Sequence, residues 1–436
     1  MTGHGSGDLR ERPRVLVIAE AANPEWVSVP LVGWSLATAL RDVADVHIVT
    51  QVRNREAFLR AGEVEGESFT AIDSEALARP MWKLGEALRM GQGKGWTMMQ
   101  AVAALSYPHF ERLVWKTFGA DLEAGRFDVV HRVTPLSPTA PSPLAAKCAG
   151  VGVPFVMGPL NGGVPWPKGF DAERRREKEW LSYLRGAYKA LPGRRATLRH
   201  ASAIITGSRH TASEVPDAFA EKCVYIPENG IDPARFSLVA DPQGDVLRAC
   251  FVGRMVPYKG PDMLLEAALP LLKAGRMRIE MIGDGPMLPG LKAFAEAEGV
   301  AGQIGFHGWL AHERVQEVMA GCHLLSFPSV REFGGGVVLE AMALGVVPMI
   351  VDYAGPGELV DARLGIKVAI GTRAEIVEGF GAALRRAAES PQALCRMSAA
   401  GRDEIAARFT WARKAEQVRE VYDWVLGRSE KPAPFG

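Results

Sequence analysis

Charge of one sign is what this sequence has least of. Its 436 residues carry 51 Lys and Arg against 50 Asp and Glu, a formal net charge of +1. No global basic field argues for a nucleic-acid partner. Cysteine is scarce too: five residues, at 148, 223, 250, 322 and 395, with no CxxC pair. That odd, scattered set suits neither a disulfide framework nor a zinc site and fits a reducing cytoplasm. Long apolar runs are missing. The stretch WTMMQAVAALSYPHF (96–110) falls short of the roughly 20 residues a membrane span needs, and the polar opening MTGHGSGDLRERPR has no signal-peptide core. A cytoplasmic location is expected. The segment after the first β-rich run, AEAANPEWVSVPLVG, has no GxGxxG, which excludes a nicotinamide-dinucleotide fingerprint there.

What is present is a rhythm. RVLVIAE (14–20), a helical pattern over Val32–Arg41 and DVHIVTQ (45–51) read as a βαβ opening to a parallel sheet. FDVVHRV (127–133), PFVMGP (154–159), SAIITGS (202–208) and CVYIPENG (223–230) continue it. The register then restarts with RACFVGRM (248–255), MRIEMIGDG (277–285), QIGFHGW (303–309), HLLSFPS (323–329) and VVPMIVD (346–352). Two such series imply two Rossmann-like α/β domains, separated by the Pro-, Gly- and Asp-rich segment 226–245. The division expected is a first domain over 1–235, a second over 236–410, and a helix and tail over 411–436.

One stretch concentrates the chemistry: REFGGGVVLEAMALGVVPMIV (331–351). Glu332 and Glu340 stand with seven residues between them, and Gly334, Gly335 and Gly336 follow the first. The glycines allow a tight turn into a helix near Gly335, whose unpaired amides and positive dipole end form a seat for phosphate. A carboxylate is a poor neighbour for phosphate but a good acceptor of two hydrogen bonds from a vicinal diol. A ligand with a central diphosphate and a hydroxylated ring at each end is a nucleotide sugar. Glu340 would hold its ribose and Glu332 its transferring sugar. FVGRMVPYKGPD (251–262) supplies Arg254 and Lys259 as cations for the diphosphate. IGDGP (282–286) exposes backbone at Gly283, Asp284 and Gly285, suited to a base.

Together FVGRMVPYKG, IGDGP, PSVREFGGGVVLEAMALGVVPMIV, IPENGIDPARF (226–236) and FTWARKAEQVREVY (409–422) resemble glycosyltransferase family 4. Its members are retaining enzymes of the GT-B fold, in which two Rossmann-like domains face across a cleft and a C-terminal helix can cross back to the first. The match covers essentially the second half of the chain. It implies that Arg254 and Lys259 bind the donor diphosphate, Glu340 the ribose and Glu332 the donor sugar, with backbone amides around Phe333 and Gly334–Gly336 completing the site. The first half matches more loosely. FDVVHRVTPLSPTAPSPLA (127–145) resembles the family's first-domain strand ending in a histidine, which makes His131 the candidate contact to the donor sugar. GPLNGGVPWP (158–167) resembles a family loop, so Asn161, Gly162 and Gly163 would line the cleft. PLVGWSLATAL (30–40) resembles the first loop and helix and brings Gly33 to the acceptor side, but Leu31 stands where glycine is usual.

The resemblance implies a retaining transfer of a sugar, from a UDP-sugar by frequency among relatives, needing neither a metal nor a cofactor. Catalysis would fall to His131, Glu332, Arg254 and Lys259, with front-face attack by the acceptor. The Trp-, Met- and cation-rich region 80–118, with RRREKEW (174–180) and LRGAYKALPGRRATLRH (184–200), suggests a first domain touching the inner membrane face and a lipid, lipid-linked saccharide or polysaccharide acceptor. The alternatives are a soluble small-molecule acceptor and a sugar-nucleotide-binding protein without turnover. Paired carboxylates also suit a glycosidase, which would leave the Arg254/Lys259 pair and the glycine run unexplained.

Overall fold

The computed structural model of the chain describes residues 12–76, 80, 96–162, 164–167, 169–171 and 192–435. Most of 80–118 before Trp96, the run 174–180, residues 184–191 and Gly163 lie outside the described residues.

Thirteen strands form two sheets among the described residues. The first holds β1 (Arg14–Ala19), β2 (Asp45–Gln51), β3 (Phe69–Ile72), β4 (Val129–Thr134), β5 (Phe155–Leu160), β6 (Ala203–Thr206) and β7 (Cys223–Tyr225), in the order β3-β2-β1-β4-β5-β6-β7. The second holds β8 (Leu247–Val252), β9 (Met277–Ile282), β10 (Ile304–Gly308), β11 (Leu324–Phe327), β12 (Val347–Asp352) and β13 (Ile366–Ala369), in the order β10-β9-β8-β11-β12-β13. Every pairing between these strands is parallel. Both sheets reverse direction of growth beside their first strand, at β1/β4 and at β8/β11. Crevices at such switch points open at the carboxyl ends of the strands.

The central strands are buried on both faces, as in helix-covered parallel sheets: all six residues of β4 and of β5 are buried. That burial explains their continuous apolar runs. β3 and β13, four residues each at sheet edges, were not among the expected strands. Equally short β6 and β11 are buried throughout, but these two carry partly exposed residues and so lack a continuous apolar run.

The two domains are tied at the last helix, Trp411–Val425. Its Arg419 gives Nη1 to the Val43 carbonyl at 2.8 Å and Lys414 gives Nζ to the Pro227 carbonyl at 2.6 Å. The approach to it pairs with the interdomain segment, Ile231 N to Phe409 O at 2.7 Å and Trp411 N to Ile231 O at 3.1 Å. The helix therefore crosses to the first domain. Thr410 caps its start, accepting from Arg413 N. No helix among the described residues is long and apolar enough to cross a membrane.

Candidate functional site

Between the sheets lies a cavity of about 1840 Å³, lined from both domains and from the segment joining them. This is well above the few hundred to about 1,000 Å³ of a small-molecule site, so it has room for two substrates. On the second-domain side the chain leaves β11 and reaches Glu332, Phe333 and Gly334–Gly336, all of which line the cavity. Gly335, at φ +59°, caps the helix Gly336–Leu344 in the left-handed region that glycine occupies without strain. The turn thus brings the start of the helix at Gly336 to the cavity, and Glu340, in the second turn, lines it as well. His312 Nε2 lies 3.5 Å from Glu340 and its ring stands edge-on to Phe236.

Lys259 reaches Glu332 at 2.7 Å. Burial alone would lower the lysine's pKa, but the carboxylate beside it more than reverses that and holds it above its ordinary value. Lys259 does not itself line the main cavity; it stands behind Glu332. Arg254 is exposed, and neither it nor Gly283, Asp284 and Gly285 lines the cavity. The loops after β8 and β9 instead pack on one another: Met255 N bonds Asp284 O at 2.9 Å, and side chains at Gly283 or Gly285 would strike the Gly253 or Met255 backbone. That crowding is why both positions are glycine. Ring contacts join the domains here, with Tyr258 edge-on to Trp166, Arg331 over Trp166 and Phe333, and Tyr353 Oη donating to the Pro165 carbonyl at 3.0 Å.

From the first domain, Asn161 and Gly162 line the cavity and Gly163 lies outside the described residues. Asn161 Oδ1 accepts from Gly162 N at 2.8 Å and Ser208 Oγ at 3.1 Å, which fixes the amide. Leu31 lines the cavity with Trp26, Val27, Val29 and Trp34, an apolar wall in which Trp26 is 46% and Val27 60% exposed. Gly33 does not line it. A Cβ there would meet the Ala21 carbonyl at 2.8 Å and Thr134 Cγ2 at 2.9 Å, so this glycine serves close helix–strand packing.

The structure turns His131 away from the donor-sugar contact expected of it. It is fully buried on β4 and absent from the cavity lining. Nδ1 lies 2.6 Å from Tyr422 Oη and Nε2 2.8 Å from the Gly158 carbonyl, so both nitrogens are engaged. Burial lowers its pKa to about 4. It is a neutral core residue that joins the first domain to the last helix.

Two groups went unseen in the sequence. Glu228 and Asn229, inside what reads as a linker, line the cavity opposite the glycine loop. Asn229 Nδ2 donates to the Gly334 carbonyl at 2.9 Å, and burial pushes the Glu228 carboxyl up to about 7. Deeper in the first domain, Arg53 stands 3.3 Å from Glu20 and 3.7 Å from Glu75, a charged floor at the ends of β1 and β2. Only PENG hinted at the first group, by placing two polar side chains between Pro227 and Gly230.

Comparison with known proteins places these observations. Residues 240–403 match the family model described as glycosyl transferases group 1. The D-inositol 3-phosphate glycosyltransferase of Rhodococcus erythropolis is 32% identical over 205 residues, 44% of each chain. The 2-deoxystreptamine glucosyltransferase of Streptomyces kanamyceticus is 27% identical over 251 residues, 54% of this chain and 63% of the relative. The chain thus spans about half the length of the curated relatives it matches. Among solved structures, Alr3699/HepE of Anabaena in complex with UDP aligns over 94% of this chain and 99% of its own, with a TM-score of 0.61 at 15% identity. A glycosyltransferase from Rickettsia africae aligns over 96% and 100%, with a TM-score of 0.63 at 13% identity. At such identities the likeness is one of fold, and the fold is GT-B: two parallel-sheet Rossmann-like domains.

Proposed function

We propose that the chain is a family 4 glycosyltransferase that takes a sugar from a nucleoside-diphosphate sugar, a UDP-sugar first among them, and transfers it with retention of configuration. The observation that carries this is the glycine loop. Gly334–Gly336 open a helix N-terminus onto a two-domain cavity with a carboxylate on either side, Glu332 and Glu340. Backbone amides there suit a diphosphate, and the carboxylates suit hydroxyl pairs on sugar and ribose. The match of residues 240–403 and the UDP-bound structures that share the fold support the same reading.

As the bond from the sugar to the diphosphate breaks, charge grows on the leaving phosphate. The loop amides are fixed dipoles aimed at that charge, a preorganised stabilisation. Lys259, held protonated by Glu332, adds a cation at the loop's edge. Arg254 and the GDG turn would join only if the loops after β8 and β9 move toward the cavity on domain closure. His131 is not assigned a role with the donor. Acceptor attack from the same face as the departing phosphate needs no enzyme nucleophile.

For the acceptor, we favour a lipid, lipid-linked saccharide or polysaccharide reached at the inner membrane face. Support comes from the wall of Trp26, Val27, Val29, Leu31 and Trp34. The second reading, a soluble polar acceptor, draws on the Glu20–Arg53–Glu75 floor and on relatives named for inositol phosphate and 2-deoxystreptamine. Co-sedimentation with anionic vesicles separates the two: binding favours the first, its absence the second. The donor reading is tested by titrating UDP, GDP and ADP and their sugars calorimetrically into wild type and Glu340→Ala. Binding of one nucleotide that the substitution abolishes supports it. No binding, or binding indifferent to the substitution, overturns it.

A further inference from the structure

Glu228 has a position that its neighbours make unusual. It lies on the segment between the sheets and lines the cavity from the side facing the glycine loop. A Cβ placed on Gly334 would collide with its Oε1 and with Asn229 Nδ2, so the carboxyl lies directly against the expected phosphate seat. A Cβ on Gly207 would meet the Cβ atoms of both Glu228 and Asn161 at 3.2 Å, which holds the side chain between the ends of β5 and β6 and the loop.

The groups around it leave its charge poorly matched. Glu332, on the glycine loop, adds a like charge, and that carboxylate's own cation, Lys259, is already taken by it. Lys414, from the last helix, spends its Nζ on the Pro227 carbonyl, and burial takes its pKa well below the ordinary lysine value. Asn161 is the remaining neighbour. Its Oδ1 is filled and its buried Nδ2 makes no hydrogen bond, so Asn161 tempers the carboxyl's rise without pairing it. A half-buried carboxyl with a like-charged neighbour and no dedicated cation keeps its proton more easily than an exposed one.

We propose that Glu228 is a further contact of the donor site, neutral when the sugar nucleotide is bound and donating its carboxyl hydrogen to an oxygen of the ligand on the glycine loop. The proposal rests on the donor reading above. Its sign follows from charge. A diphosphate brought against Gly334 disfavours the ionised carboxylate, so the complex binds a proton that the free protein has partly released. Around neutrality that proton is already half present, since burial sets the carboxyl at about 7. Above that pH, each unit costs up to about a factor of ten in affinity, until the bound form itself ionises. A glutamine at 228 would offer a hydrogen at every pH.

The test uses UDP-glucose, whose diphosphate and uracil do not titrate near neutrality, with GDP-mannose and ADP-glucose as alternates. Affinity is measured calorimetrically between about pH 6 and pH 8, in two buffers of different ionisation enthalpy. For wild type we expect about a tenfold weakening over that range and uptake of close to one proton on binding at the upper end. Glu228→Gln should keep the low-pH affinity throughout and take up none. Glu332→Gln, as control, should weaken binding and keep a pH slope and proton uptake, with the onset moved to lower pH because a like charge beside Glu228 is gone. A wild type that binds without proton uptake overturns the role of Glu228, even if the variant does not fold. An unchanged slope in Glu228→Gln overturns it equally, and in both cases the donor reading stands. Failure of all three sugar nucleotides to bind wild type overturns the donor reading and this proposal with it.

Discussion

His131 Nδ1 and the hydroxyl of Tyr422 lie 2.6 Å apart, across 291 positions of sequence. Strand β4 and the last helix meet at that bond inside the protein, with no solvent to replace it. Tyr422→Phe therefore leaves a buried ring nitrogen without its partner. We expect a loss of about 1–3 kcal/mol, read as a lower urea midpoint, with nucleotide affinity unchanged.

The same histidine makes stability depend on acid. Its pKa is 6.5 when exposed and about 4 when folded, so the unfolded chain binds a proton that the folded chain refuses. The resulting stability, up to about 3 kcal/mol, is complete above pH 6.5 and is lost as pH falls towards 4. His131→Gln should flatten that part of the stability–pH curve relative to wild type. Parallel curves for the two proteins would contradict a neutral buried imidazole.

Gly334→Ala tests the loop without adding or removing a charge. The new methyl would push against Glu228 and Asn229, whose side-chain ends can swing aside, so the fold should lose only about 1 kcal/mol. Sugar-nucleotide affinity should fall at least about tenfold, because the displaced groups line the seat and one of them fixes the Gly334 carbonyl. Equal affinity in the variant would remove the loop from the binding site.

Lys259 and Glu332 form a pair whose members should be lost together. Lys259→Met removes the cation and leaves Glu332 facing the ligand alone, at an expected cost of about 1.5–3 kcal/mol in sugar-nucleotide binding. Adding Glu332→Gln should cost less in that background than in wild type, because the two side chains share one bond. Strictly additive effects would show that each acts on its own.

Much of this could be read before any coordinates. The glycine loop announces itself because no ordinary helix start needs three glycines between two glutamates. Eleven strands stand out as apolar runs because parallel strands are buried on both faces. That same burial hid the surroundings of His131: in a strand buried throughout, no alternation tells which side a residue faces, and its partner comes from position 422. Glu228 was invisible for a related reason. Its surroundings are supplied by positions 161, 332 and 414, and nothing local in PENG marks a carboxyl enclosed by them. The packing role of Gly33 likewise depends on Ala21 and Thr134.

The last helix carries a consequence for how the protein is made. Its Tyr422, Arg419 and Lys414 complete contacts of the first domain, yet they follow that domain's final strand by about 190 residues. At a ribosomal pace of about 5–20 residues per second, the nascent first domain waits about 10–40 s for its closing piece. Through that interval the His131 imidazole lacks its hydroxyl partner, and the apolar surface under the helix stays open. A chaperone that covers apolar surface would find its longest opportunity on this chain during synthesis, before the second domain is complete.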